Sequence, residues 1–134
     1  QPGRIAIETA FNDPLAHRLY AGADLFLMPS RFEPCGLGQM IALRYGTLPV
    51  VNPVGGLADT IRDLDADPEH GNGFHLAELS PNGLVRTVER GLPLLGDPGR
   101  LLRVRHRIMA EDHGWSAAVR RYDEIYRRLV PPSG

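Results

Sequence analysis

The sequence predicts an α/β fold with a Rossmann-like parallel sheet followed by a helical C-terminal tail. In the first half of the chain, short apolar stretches alternate with helix patterns, and two stretches lead through glycine-bearing loops into helices. Strand, loop and helix in repeated succession are typical of parallel sheets with helical crossovers. The second half is mainly helical, so we expect helices to follow the sheet.

Four parallel strands are expected, near residues 4–11, 24–28, 47–51 and 73–76. The stretch 24–28 is a nearly continuous apolar run, which is typical of a parallel strand covered on both faces. Pro49 lies in the third stretch and has no backbone N–H group to donate. Its presence argues against a central position for that strand.

A capping residue followed by proline marks three predicted helix starts. Such pairs are favoured there because the cap accepts an unpaired N–H group and proline fits the first turn. The pairs are Asp13-Pro14, Ser80-Pro81 and Asp97-Pro98.

Two further helices are predicted to bury an apolar face. The helix after residues 24–28 carries four apolar or aromatic residues at helical spacing and ends at Gly46, its predicted C-cap. These are Leu37, Met40, Ile41 and Tyr45. The last helix carries a longer stripe, interpreted as core rather than as a sugar-binding platform, and ends at Pro131 and Pro132. Its members are Trp115, Val119, Tyr122, Tyr126 and Leu129.

Composition excludes several classes of function. The 134 residues are 43% hydrophobic and 23% charged with a net charge of -1, so nothing favours nucleic acid or an anionic membrane as a partner. One cysteine rules out an internal disulfide and fits the cytoplasm. All basic residues are arginines, which excludes a Schiff-base lysine. The chain begins at Gln1, which suggests an excerpt from a longer protein, although a cleaved start would look the same.

The loop after residues 24–28 is the main candidate site. Ligands of open α/β sheets bind beyond the carboxyl ends of the strands, where helix N-termini favour phosphate. Gly36 and Gly38 allow a ligand to approach the backbone. Glu33 is placed to accept hydrogen bonds from hydroxyl groups. A carboxylate beside a phosphate site suits a ligand with phosphate and polyol parts, such as a nucleotide sugar.

Two further segments have a functional and a structural interpretation. Gly55 and Gly56 form a second glycine loop, either a simple turn or a contact with donor or acceptor. Asp63, Asp65 and Asp67 are spaced like calcium ligands, but the glycine and glutamate that such a loop requires are missing. We therefore interpret this segment as a solvated turn.

The central block resembles the donor site of bacterial glycogen synthases and plant starch synthases. The resemblance rests on residues 23–37, continues in order through 42–51 and 55–60, and extends upstream over 17–24. Trp115, Arg121 and Tyr122 are similar to the family's final helix. The resemblance implies a GT-B fold, which has two Rossmann-like domains, with residues 1–134 forming most of the C-terminal, nucleotide-sugar-binding domain. By the same resemblance, the N-terminal acceptor domain is expected to be missing from this chain.

This resemblance implies glucose transfer from ADP-glucose or UDP-glucose to the non-reducing end of an α-1,4-glucan, with retention. It implies no metal and no other cofactor, and an acceptor held through the missing domain. Glu33 matches the glutamate that binds the donor sugar and is the implied catalytic residue. Cys35 and Gly36 match residues beside the sugar, and Leu37 and Gly38 match backbone donors to the diphosphate.

The sequence departs from the family pattern at several positions. The family usually has threonine at Gly38, an aromatic residue at Ile41, and a basic residue and threonine in the segment of Asn52 and Val54. The arginine and lysine that neutralise the leaving diphosphate lie upstream in the family, so this chain alone is expected to be inactive. Two alternatives stay open: a GT-B enzyme with another nucleotide-sugar donor, and a non-catalytic nucleotide-binding module.

Overall fold

A computed structural model describes residues 3–130, apart from the side chain of Ala117. Within that range the chain forms a three-stranded parallel sheet and six helices, and the strands lie in the order β1-β2-β3. The elements in chain order are α1 (Asp13–Gly22), β1 (Leu25–Met28), α2 (Gly38–Tyr45), β2 (Leu48–Val51), α3 (Gly56–Thr60), β3 (Phe74–His75), α4 (Pro81–Leu95), α5 (Pro98–Met109) and α6 (Trp115–Leu129). None of these helices is long and apolar enough to cross a membrane.

The hydrophobic core is built around β2, whose four side chains are all buried. Burial of successive residues means that both faces of β2 are covered. The apolar run at 24–28 was expected to be covered in the same way, but β1 is only partly buried and Leu27 is 44% exposed. Leu43 of α2, Leu57 of α3 and Ile108 of α5 contribute to the same cluster. The parallel α/β fold with a helical tail is therefore confirmed.

The strand predicted at residues 4–11 is wrong. These residues form no strand, and Ile5, Ile7 and Phe11 are 72%, 86% and 95% exposed. A strand needs a neighbouring strand for its N–H and C=O groups, and none of the strand pairings among the described residues includes this segment. The strands predicted at 24–28 and 47–51 are correct to within one residue, and the one at 73–76 is shortened to Phe74–His75.

Pro49 lies in the central strand, contrary to expectation. Leu48 and Asn52 donate their N–H groups to the carbonyl oxygens of Asp24 and Met28, so these N–H groups face the β1 side of the strand. Donors alternate along a strand, so the nitrogen of Pro49 faces the β3 side. Pairing with β3 begins only at Val50 and Phe74, one residue later. The missing donor therefore interrupts no ladder hydrogen bond.

The predicted helix starts are mostly confirmed. Ser80 and Asp97 cap α4 and α5 through hydrogen bonds from the N–H groups of Gly83 and Arg100. At α1 the cap is Asn12 rather than Asp13, because the Asn12 side chain accepts from Leu15 N–H at 3.0 Å. Asp13 is the first helical residue instead.

The apolar faces predicted for α2 and α6 are not the buried ones. In α2 the buried residues are Gln39, Ala42 and Leu43, whereas Leu37 is 67% exposed. Gly46 caps α2 as predicted, with a φ of 77°. The predicted core stripe of α6 is exposed throughout, from 58% at Tyr122 to 83% at Trp115, because no other described element covers it. Pro131 and Pro132 lie outside the described residues.

Asp63 is not part of a solvated turn. Its carboxylate accepts from the His75 and Asp65 N–H groups at 2.7 and 2.9 Å and lies 2.9 Å from the Arg90 guanidinium. Burial by itself raises the pKa of the Asp63 carboxyl, but these hydrogen bonds and the charge of Arg90 outweigh burial and hold the pKa below its ordinary value. Asp63 thus ties β3 to α4 and closes the segment between α3 and β3.

We predict that Asp63→Ala lowers the free energy of unfolding by about 3 kcal/mol, because it removes the more buried of the two carboxylates that bind Arg90 and leaves the N–H groups of His75 and Asp65 without their acceptor. Because the folded-state pKa is depressed, this stabilisation is complete above the ordinary aspartate pKa of 3.8 and is lost as pH falls through the folded-state value. Urea unfolding at pH 7 and at steps below pH 4 measures both effects. Asp65→Ala is the control, because the Asp65 carboxylate also binds Arg90 but is 53% exposed. Equal losses in the two variants would contradict this role for Asp63.

Candidate functional site

The first loop of the site connects β1 to α2. The loops that follow parallel strands lie at one edge of the sheet. The loop after β1 ends at Leu37, the N-cap of α2, which makes no side-chain capping bond. Within residues 3–130 the N–H groups of Leu37 and Gly38 find no acceptor. Such N–H groups carry the partial positive charge of a helix N-terminus, where an anion is favoured.

Gly36 shapes the turn into that helix. Its φ of 70° lies in the left-handed region, which a side chain would strain. Gly36 is buried, whereas Cys35 before it is exposed. The turn therefore presents the Cys35 thiol to solvent and directs the chain into α2.

Glu33 is half-buried beside this helix start, and it does not cap α2. Its carboxylate accepts a hydrogen bond from the Ser30 hydroxyl at 3.3 Å, and its backbone C=O accepts from Gly56 N–H at 3.0 Å. The Ser30 carbonyl is in turn held by the Asn52 side-chain amide at 2.8 Å. One carboxylate oxygen is thus left without a protein donor in the described structure, available for hydroxyl groups.

The second glycine loop packs directly against the first. Gly56 is buried, and a Cβ added there would overlap the backbone carbonyl of Cys35. A Cβ at Gly55 would overlap the carbonyl of Glu33, and Gly55 also has a positive φ of 49°. These glycines therefore permit close backbone contact between the two loops. The predicted contact with donor or acceptor stays a prediction.

Gln39 joins the two loops, a role that the sequence analysis missed. Its side chain is 0% exposed, and its Nε2 donates to the Gly36 carbonyl at 2.9 Å and to the Thr60 hydroxyl at 3.1 Å. The Thr60 hydroxyl donates to the Gly56 carbonyl at 2.6 Å. A polar residue among the apolar positions of α2 was the only available signal.

The surroundings of Gly38 give a local steric reason for a glycine at this position. A Cβ at this position would lie 3.2 Å from Cε1 of Phe26 and 3.3 Å from the Tyr20 hydroxyl. A threonine would push both aromatic rings away by a few tenths of an ångström. Tyr20 and Phe26, whose ring centroids are 5.0 Å apart, thus fill the space beside the start of α2.

The structure brings all the sequence-predicted site residues to one edge of the sheet. Glu33, Cys35, Gly36, Leu37 and Gly38 lie on the loop after β1 and at the start of α2. The second glycine loop follows β2, the neighbouring strand, and its Gly56 touches the first loop through the Glu33 carbonyl. This edge combines free N–H donors with a nearby carboxylate, an arrangement that can bind a phosphate and hydroxyl groups together.

Comparison with known proteins gives consistent matches over this site. The family described as "Glycosyl transferases group 1" matches residues 9–94. A glycogen synthase of Halorhodospira halophila is 48% identical over 99% of this chain, and one of Anaeromyxobacter dehalogenans is 51% identical over 97%. The chain spans only 27–28% of the length of these curated relatives.

Two solved structures are similar to the fold. The catalytic domain of starch synthase IV from Arabidopsis thaliana, bound to ADP and acarbose, matches 89% of this chain with a TM-score of 0.80 and 37% identity, and 25% of that domain is covered. A sucrose-phosphate synthase from Thermosynechococcus elongatus matches 82% of this chain with a TM-score of 0.56 and 29% identity, and 26% of its chain is covered.

These matches confirm the resemblance drawn from residues 23–37 and their continuation. The family match covers more than half of the chain and includes both glycine loops. The chain belongs to the group 1 glycosyl transferases.

Proposed function

We propose that this chain is part of the donor-binding domain of a longer retaining glucosyltransferase of the glycogen and starch synthase type. The enzyme transfers glucose from ADP-glucose or UDP-glucose to the non-reducing end of an α-1,4-glucan. The observation that carries the proposal is that 97–99% of this chain matches relatives named glycogen synthase. ADP bound to the similar starch synthase supports ADP-glucose as the first donor to test.

The start of α2 is assigned to the donor diphosphate. The N–H groups of Leu37 and Gly38 have no protein acceptor in the described structure, so an anion can receive them without displacing another bond. A helix N-terminus contributes about 0.3–1 kcal/mol at an exposed site. That is small beside the roughly 1.4 kcal/mol needed for each tenfold gain in affinity. Further cationic groups are therefore required, and we place them on the part of the protein beyond this chain.

Glu33 is assigned to the donor sugar. With Cys35 and Gly36 it lines the approach to the helix start, and its carboxylate can accept charge-assisted hydrogen bonds from sugar hydroxyls. As the bond between glucose and phosphate breaks, positive charge builds on the glucosyl centre. The negative charge of the Glu33 carboxylate stabilises that positive charge more in the transition state than in the ground state.

The remaining components of the enzyme follow from the same proposal. Residues 1–134 form part of the C-terminal domain, and the α-1,4-glucan binds through the N-terminal domain. We propose cytoplasmic activity without a metal or other cofactor, with no role for nucleic acid or a membrane. The chain alone is inactive because the acceptor site and the cationic groups for the leaving diphosphate lie elsewhere.

A different donor is the second candidate function. Gly38 and the packing of Tyr20 and Phe26 against it alter the surroundings of the proposed diphosphate site. The similarity to a sucrose-phosphate synthase shows that this fold also occurs in a synthase with another product. A non-catalytic nucleotide-binding module is the third possibility.

Assays of the full-length protein with ADP-glucose, UDP-glucose and other nucleotide sugars separate these possibilities. Each assay contains an α-1,4-glucan acceptor. We expect glucose transfer with ADP-glucose or UDP-glucose, shown by release of the nucleoside diphosphate and by elongation of the glucan. Transfer from another donor alone would support the second candidate. Nucleotide binding without turnover would support the third.

We predict that Glu33→Gln in the full-length enzyme lowers kcat by at least about 100-fold, the size of effect seen when one transition-state contact is removed. The amide keeps the size of the side chain and loses its charge, so the apparent affinity for the donor changes less than kcat. Steady-state kinetics measure both quantities, and a thermal melt checks that the variant keeps its fold. Glu89→Gln, on the exposed face of α4, is the control. Near-normal turnover of Glu33→Gln would end the assignment of a catalytic role to Glu33.

A further inference from the structure

The side chain of Gln39 is fully buried between the two glycine loops, and all of its hydrogen bonds in the described structure are donated by Nε2. The two hydrogens of Nε2 are taken by the Gly36 carbonyl and the Thr60 hydroxyl, while the Cys35 carbonyl lies 3.5 Å away. All three neighbours are oxygen atoms, which fixes Nε2 as the atom facing them. The Thr60 hydroxyl uses its own hydrogen on the Gly56 carbonyl.

The Gly56 residue is consequently held at both of its backbone polar groups. Its N–H donates to the Glu33 carbonyl at 3.0 Å, and its C=O accepts from Thr60 at 2.6 Å. Continuous hydrogen bonds therefore run from Gly36 through Gln39, Thr60 and Gly56 to Glu33. This circuit fixes both ends of the segment 33–36, which contains the proposed catalytic carboxylate and the turn before α2.

The circuit leaves one polar atom unpaired. Oε1 of Gln39 is buried with no hydrogen-bond partner in the described structure, and it lies against Gly36, where a Cβ would approach it within 2.5 Å. A buried acceptor without a donor costs folding free energy. Such local violations of polar satisfaction are typical of functional sites. The Gln39 amide is thus better suited to holding the loop than to stabilising the fold.

We propose that Gln39 and Thr60 are positioning residues, which set Glu33 and Gly36 for the donor by holding the second glycine loop against the first. The expected effect on kcat rests on the proposed function. Neither side chain contacts the donor; both act through the backbone of residues 33–36. Small displacements of reacting groups reduce rates steeply, even when the altered residue is remote from the chemistry.

Thr60→Val and Gln39→Leu in the full-length protein test the proposal, with Thr87→Val as the matched control. The hydroxyl of Thr87, like that of Thr60, donates to the carbonyl four residues earlier, here Gly83 at 2.8 Å. Thr87 is buried whereas Thr60 is half-buried, and Thr87 lies in α4 away from both loops. We expect kcat to fall about tenfold or more in the first two variants and less than twofold in Thr87→Val. Thermal melts should show similar losses of stability in the two valine variants. Thr60→Ser keeps the hydroxyl and should restore kcat.

A second measurement reports loop position without relying on activity. Cys35 is exposed and lies inside the held segment, so its rate of alkylation by iodoacetamide, followed by peptide mass spectrometry, reports on this loop. We expect the rate to change severalfold in Thr60→Val and Gln39→Leu and to stay unchanged in Thr87→Val. If both kinetics and alkylation of Thr60→Val match those of Thr87→Val, the positioning role is wrong. If the wild-type protein transfers no glucose, the proposed function fails, and alkylation alone decides the positioning role.

Discussion

The contact between the backbones of the two glycine loops is the constraint on which the site depends. Gly56 donates its N–H to the Glu33 carbonyl, and neither Gly55 nor Gly56 has room for a side chain against residues 33–35. The first loop thus rests on the second, and the helix start and the carboxylate keep a fixed relation. Any side chain added at Gly56 would have to push the Cys35 carbonyl away from its place.

The sheet creates the conditions for that contact. Met28 and Val51 are partners at the ends of β1 and β2, so the two loops leave adjacent strands side by side. Asn52 extends the pairing by one step, since its N–H reaches Met28 and its side chain holds the Ser30 carbonyl. All four residues of β2 are buried, so the strand that carries the second loop is anchored in the hydrophobic core. The position of the candidate site therefore follows from the register of two short strands.

Local patterns in the sequence predicted the parts of the molecule that depend on local chemistry. Apolar runs followed by glycine loops located β1 and β2, and cap-proline pairs located the starts of α4 and α5. Patterns failed where the outcome depends on a distant partner. Residues 4–11 have the composition of a strand but join none of the strand pairings in the described structure. The apolar stripe of α6 has no described surface to cover it. Gln39 was missed because its role arises only when the loops after β1 and β2 meet.

A structure of the full-length protein with ADP tests the central claim most directly, namely that the edge formed by the two glycine loops is the donor site. The account predicts diphosphate oxygens within hydrogen-bonding distance, about 3 Å, of the backbone nitrogens of Leu37 and Gly38. It also predicts that the Glu33 carboxylate faces the position of the transferred sugar. A diphosphate bound elsewhere, with these N–H groups facing only solvent, would contradict it.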